Sequence, residues 1–380
     1  MEINKIMEYA EAHRGEFMEF LQGMVEKESY SYAGKEIKNI CGQYIYDRFA
    51  GLGFTMEKID AGELGFHMHG TIGTAKDKVL LVGHYDTVFE TGSLKEMPFY
   101  IKDGKAHGPG VYDMKGGLAV FYMAVKAMKE LGMLPDKTIE IFINCDEEAG
   151  SHTSAQAITE CAKTARYALI GEPCYLEKGS VKSERFGRGM YKITAKGIAG
   201  HAGNEPWLAA SPIIELSKLV LKIQENCDYD GGLYYSVVSF HGGEPNSTAK
   251  IPEDAYILAD IRYKTPELMK KGCDFIENLM PEDSRVQFQI EGGIEKQPLV
   301  QNERNHQLYE AAQKICESAE VEIVPHISGG GSDGNFTSTQ CATLDGMGLN
   351  GCYIHNPKEY IVLDTIPFRI GLVAELIRTY

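Results

Sequence analysis

Residues 138–172 read TIEIFINCDEEAGSHTSAQAITECAKTARYALIGE, and the pattern changes period twice within them. Residues 138–144 form an apolar-rich run of strand length, 153–164 read as a helix, and 167–170 are again a short apolar run. Strand, helix and strand in that order build a parallel sheet. Acidic residues follow both strands: Asp146-Glu147-Glu148 after the first and Gly171-Glu172-Pro173 after the second.

Working outward, 54–59, 66–72 and 79–82 read as strands, and 116–131 as a helix whose apolar residues nearly encircle it, so that it is expected to be buried. Helical periodicity also covers 3–27 and 35–49, the latter ending at Gly51-Leu52-Gly53. This alternation predicts an α/β fold with a largely parallel central sheet flanked by helices. From 186 to 297 the character differs. Alternating strands at 190–195, 234–240 and 255–263, with helices at 211–226 and 266–280, predict an inserted α+β domain. The first domain would then comprise 1–185 and 298–380, resuming with a helix at 305–319, a strand at 321–327 and a last helix at 365–378.

At 380 residues the chain has room for about two such domains. Its 38 Lys and Arg against 54 Asp and Glu give a net charge of −16, which argues against nucleic acid or an anionic membrane as partner, since both recruit basic surface. Small molecules and proteins remain. No apolar stretch approaches the ~18 residues that span a bilayer, and the opening residues lack the pattern of a signal peptide, so a cytoplasmic protein is expected. The nine cysteines are scattered singly with no CxxC pair, as reduced thiols would be.

Five sequence elements carry chemistry. The strand at 79–82 runs into Gly83-His84-Tyr85-Asp86-Thr87, where residues two apart on an extended chain project to the same side. His84 and Asp86 are either an ordinary hydrogen-bonded pair or a metal ligand with the carboxylate that orients it. Gly108-Pro109-Gly110-Val111-Tyr112-Asp113 delivers one acid just before the buried helix. Asp113 is a candidate helix cap, although so many glycines around one acid exceed what capping needs. Asp146-Glu147-Glu148 is a solvated acidic turn or a cation site, Glu172 follows another strand, and His355 lies near the end in Gly351-Cys352-Tyr353-Ile354-His355. Four of the five stand where α/β sheets place their ligands. Imidazole with carboxylate suits zinc or another first-row dication without any thiolate. Two dications balance Asp113, Glu148, Glu172 and one hydroxide, which favours a pair of ions.

The strings GHYDTVF, GPGVYDMKGG, NCDEEAGS, GEP, AGHAG, LADIRY and SGGGSDGNF, in this order across nearly the whole chain, resemble the zinc metallopeptidase family of glutamate carboxypeptidase, acetylornithine deacetylase, succinyl-diaminopimelate desuccinylase and aminoacylase. The run from Gly329 to Pro367 is most similar to the bacterial glutamate carboxypeptidase branch. The resemblance implies two divalent ions per chain, zinc first, with cobalt or manganese as alternatives. Asp113 would bridge them, His84 and Glu172 would complete one, and Glu148 and His355 the other. Glu147 would be the general base acting on the bridging water, and Asp86 would orient His84. The Asp113–Met114 peptide is expected to be cis, with Met114 where the family often has an acid. The inserted domain would be a lid and dimerisation domain, with His201 reaching a partner subunit's site to stabilise the oxyanion and Arg262 binding the substrate carboxylate. The family commonly has an Asn three residues before a Pro here. This chain has Ala249 at that offset from Pro252, so either Asn246 serves through an insertion or the contact is missing.

The implied activity is hydrolysis of an amide next to a free carboxylate, as a carboxypeptidase or other exopeptidase. An N-acyl-amino-acid deacylase is the alternative, and a catalytically silent metal-binding protein is a third reading, opposed by the complete ligand set. Gly329–Gly334 formally satisfies G-x-G-x-x-G, but no acid stands ~20 residues beyond it, and it reads better as a wall of the substrate pocket.

Overall fold

In the computed structural model, which describes residues 2–175 and 180–380, every residue of the strand Thr138–Asn144 is buried. It sits inside a six-stranded sheet with the order Thr55–Asp60, Phe66–Ile72, Thr138–Asn144, Lys78–His84, Tyr167–Ile170, Ala342–Leu344. The last four run parallel, and the first two add an antiparallel edge. The α/β fold with a sheet parallel in its core is therefore present, as a mixed sheet. In register, His84 lies beside Asn144 and Val82 beside Ile170, so two of the parallel strands end level and the third ends two residues short of them. His84 closes one of these strands, and the loops after the other two carry the acidic turn and Glu172.

The helix Gly116–Glu130 is buried nearly all round, which its apolar circumference requires. Its start packs on the loop after Tyr167–Ile170 so closely that a Cβ on Gly117 would stand 1.8 Å from the Gly171 carbonyl oxygen. The glycines after Asp113 thus serve close backbone approach. The N-terminal helix expected at 3–27 is two helices, Glu2–Ala12 and Arg14–Val25, because His13 leaves the helical region at φ −107°, ψ 20° and returns its Nδ1 to the Tyr9 carbonyl at 2.8 Å. A small antiparallel sheet, ordered Gly351–Cys352, Tyr360–Val362, Lys105–His107, Tyr100–Lys102, was not legible, since strands of two or three residues show no period.

Contacts divide the chain into Met1–Glu184 with Val300–Ser328 and Ser332–Tyr380, and Arg185–Leu299 with Gly329–Gly331. The second unit is a four-stranded antiparallel sheet, ordered Leu233–Gly242, Asp254–Tyr263, Gly187–Lys196, Gln287–Lys296, covered by helices Pro212–Glu225 and Pro266–Glu277. Both helices start in the same way: Ser211 and Thr265 accept the N–H of Ile214 and Leu268, and Pro fills the first turn. Gln287–Lys296 escaped the sequence reading because Gly292-Gly293 interrupts it and most of its positions are exposed or half-buried. Among the described residues no helix is long and apolar enough to cross a membrane, and all nine cysteines are free thiols.

Candidate metal centre

The strand end fixes the first imidazole. His84 Nδ1 lies 3.0 Å from the Asp86 carbonyl oxygen and 3.4 Å from its carboxylate, which turns Nε2 toward Asp113 Oδ1 at 3.4 Å and Glu172 Oε1 at 3.5 Å. Asp113 is not a helix cap: the helix begins at Gly116, and its start has no side-chain cap. Its peptide with Met114 is cis, as expected. While Oδ1 faces His84, Oδ2 lies 3.1 Å from His355 Nε2, which is also 3.1 Å from Glu148 Oε1. Each oxygen of one buried carboxylate therefore faces a different histidine.

Donor atoms of His84, Glu147 and Glu172 lie within 4.8 Å of one another, as do those of His84, Asp113 and Glu148. His84 Nε2 and Asp113 Oδ1 are buried and have no hydrogen-bond partner. Such orphaned atoms are costly unless something else satisfies them. Ligands around a tetrahedral ion at about 2.0–2.1 Å lie about 3.3–3.4 Å apart, close to the separations found here. The donor set fits a dication on each side of Asp113.

The electrostatics agree. Hydrogen bonds with Asp113 and then Glu148 push His355 up to about 11. Burial would lower His84, yet Asp113, Asp86 and Glu172 outweigh it and hold it well above its ordinary value. Burial, reinforced by the Asp113 charge, lifts Glu148 to about 8, while His355 and His84 hold Asp113 far below the usual carboxylate range against the push of burial. A negative field that favours protons on two imidazoles also attracts dications.

Asp86 does more than the sequence implied. Its carboxylate accepts the Ser31 hydroxyl at 2.6 Å and the backbone N–H groups of Glu147 and Glu148 at 3.2 Å each. The acidic turn is thus hung from the group that orients His84. Asp146 is spent on structure: fully buried, it accepts from the Thr153 backbone and from the Thr153 and Ser154 hydroxyls. Asp333, from the glycine-rich run, accepts from Asn144 Nδ2 and from Ser151 Oγ and braces the turn from the other side. The helix after that run, Gly334–Thr337, has only four residues.

Sequence reasoning gave no role to Glu359, whose Oε1 accepts the N–H groups of Tyr112 at 2.7 Å and Asp113 at 3.1 Å. It stands four residues after His355, immediately before the strand Tyr360–Val362, and no sequence pattern marks it.

His201, Arg262 and Asn246 all belong to the second unit. His201 is exposed, and its Nδ1 accepts from the Gly203 and Asn204 backbones at 3.1 Å, so the neutral ring carries its proton on Nε2. Arg262 already grips its own strand: Nε and one terminal nitrogen bond Asp260 at 2.6 and 3.2 Å, and the other terminal nitrogen faces the Gly329 carbonyl at 3.5 Å. Asn246 occupies an exposed turn in the left-handed region, φ 73°.

A third cluster brings His69, Glu140 and Cys161 together, but both ring nitrogens of His69 are engaged, with Glu57 at 2.6 Å and Glu140 at 2.7 Å. No ring lone pair remains for an ion. Cys161, Glu140 and Glu57 raise His69 to about 10 against the pull of burial. A raised folded pKa stabilises fully below the unfolded value, about 6.5, and the contribution fades as pH climbs through 10. His69→Gln is expected to cost about 1–2 kcal/mol in urea unfolding at pH 6, with the difference from wild type shrinking toward pH 10. A pH-independent difference would assign the loss to packing.

A sequence profile of peptidase family M20/M25/M40 matches residues 80–379. The chain belongs to this family. It is 30% identical over 344 residues to carboxypeptidase G2 of a Pseudomonas species, covering 88% of this chain and 82% of that one. To succinyl-diaminopimelate desuccinylase of Nitrosospira multiformis it is 26% identical over 357 residues, covering 89% and 93%. A crystal structure of a tripeptidase from Staphylococcus aureus shares the fold with a TM-score of 0.81 at 19% identity, covering 95% of this chain and 97% of that one. As a member of the M20/M25/M40 family, the protein is a hydrolase of amide bonds.

Proposed function

We propose that this chain is a dinuclear zinc-dependent hydrolase that cleaves an amide next to a free carboxylate, in the manner of a glutamate carboxypeptidase. The observation that carries the reading is Asp113, with one oxygen toward His84, whose Nε2 also meets Glu172, and the other 3.1 Å from His355, which also meets Glu148. Those five side chains would hold the ions. The chemistry that two bound dications supply is polarisation of the scissile carbonyl and a hydroxide nucleophile near neutral pH.

Everything else falls to the chain's own residues. Glu147 takes the proton from the attacking water and returns it to the leaving nitrogen, as a general base and then a general acid. Asp86 holds the backbone of that turn through the N–H groups of Glu147 and Glu148, which keeps the base beside the donor atoms of His84 and Glu172. His201 offers Nε2–H to the developing oxyanion of a partner subunit in a homodimer, with residues 186–297 as the lid and dimerisation domain. Arg262, braced by Asp260, receives the substrate carboxylate, and Asn246 supplies a further polar contact. Nine cysteines without a disulfide suit a cytoplasmic site of action.

The test is amine release from a panel of dipeptides and N-acyl amino acids, including C-terminal glutamates, before and after chelation. Chelator-sensitive cleavage of the peptides is expected. Cleavage confined to N-acyl amino acids would make the protein a deacylase of the desuccinylase kind. Two bound ions per chain without any amide hydrolysis would overturn the reading in favour of a silent metal-binding protein.

A further inference from the structure

The loop that carries His355 also walls an open groove of about 440 Å³ whose other side is the hairpin Tyr100–Lys102 and Lys105–His107. Tyr353 and Lys358 line it, two residues before and three after His355, so the groove lies within about 11 Å of that residue by chain length alone. Its floor is a row of rings running across three strands. Tyr100 pairs with His107 and His107 with Tyr360, and the first two rings stack at 4.5 Å with 5° between their planes.

The next row carries charge. Lys102 and Lys105 are direct cross-strand partners, an arrangement that is destabilising for like charges. Lys105 Nζ rests 3.9 Å from the centre of the Tyr360 ring, which offsets part of the repulsion, and Asp103 in the turn is the one acid lining the groove. Lys358 comes in from the opposite wall. Among the described residues neither Lys102 nor Lys358 forms an ion pair. Lys102, Lys105 and Lys358 thus line one groove of a chain whose net charge is −16, and two of them have no acid of their own among the described residues. Repulsion of this kind is relieved by an anion between the ammonium groups.

We infer that this groove is a specificity subsite for acidic peptides, taking carboxylates that lie on the acyl side of the scissile amide. The inference rests on the amide-hydrolase reading for the position of the scissile bond, since there Arg262 takes the carboxylate on the leaving side. Lysine ammonium groups on flexible stems suit carboxylates at variable spacing, whereas a single fixed anion would call for a guanidinium fork. The exposed rings of Tyr100 and Tyr353 offer apolar surface to the stems of substrate side chains.

The probes are Glu-Glu-Glu and Ala-Ala-Glu, which share the C-terminal residue and differ only on the acyl side. Their binding to metal-loaded Glu147→Gln protein, followed by calorimetry, reads the groove without turnover. Glu-Glu-Glu is expected to bind about tenfold tighter at low salt, the effect of two exposed ion pairs, and the margin fades as salt rises. In Lys102→Ala/Lys358→Ala, made in that background and checked for metal content and melting temperature, the ratio falls toward one. In the enzyme with Glu147 intact, the same double substitution raises KM for Glu-Glu-Glu with kcat held. Equal affinities for the two peptides, or a ratio that survives the double substitution, overturn the subsite. An affinity difference in a protein that cleaves neither peptide supports the subsite and counts against the amide-hydrolase reading instead.

Discussion

Glu147→Gln keeps its metal ions and loses at least ~100-fold in kcat. The amide has the size of the carboxylate and leaves the turn intact, because Asp86 grips the N–H of residue 147 and not its side chain. What disappears is the ability to accept a proton from water and hand it on. Removing a positioned base costs about 10²–10⁴ in rate, so the effect belongs in kcat, with KM nearly constant. Metal analysis by atomic emission and steady-state kinetics on one preparation settle it. Near-normal turnover at two ions per chain would remove Glu147 from the base role.

Asp113→Asn is expected to be more damaging, through another route. Oδ1 and Oδ2 of Asp113 face His84 and His355 separately, and an amide has only one acceptor oxygen, so one histidine would confront an NH2 group. Metal content should drop from two ions to at most one per chain. The rate should fall by about 10³-fold or more, since an ion acting as Lewis acid contributes several kcal/mol of transition-state stabilisation. A variant that retained two ions and full activity would show that Asp113 is not the shared ligand.

The larger unit was legible because its strands are long, apolar and bounded by glycines, and because its candidate ligands follow strand ends. The strand Thr138–Asn144 was read with both limits in place. Six positions singled out from sequence, His84, Asp113, Glu147, Glu148, Glu172 and His355, come together in space. What sequence could not supply were contacts set by turns. Residues 144–151 curl so that Asp146 accepts from Thr153 and Ser154 further along, Asp86 caps two N–H groups, and Asp333 arrives from nearly two hundred residues away. Glu359 escaped the sequence reading, because a carboxylate that satisfies backbone N–H groups leaves no periodic trace. His201, Arg262 and Asn246 were found through resemblance to a family. Their own surroundings, an exposed short strand, an Asp260 clamp and a left-handed turn, carry no signal that a single sequence displays.

One carboxylate, Asp86, touches Ser31, His84 and the backbone of two consecutive acids. On the proposed reading, the spacing between His84 and the base Glu147 is therefore set by the polypeptide itself. The two ions of that reading would be held by an imidazole and a turn tied to one side chain, which leaves little to reorganise at the moment of reaction. A scaffold prepared in this way lets chemistry and selectivity drift independently: groups at the rim can be exchanged for a new substrate while the proton's path keeps its length.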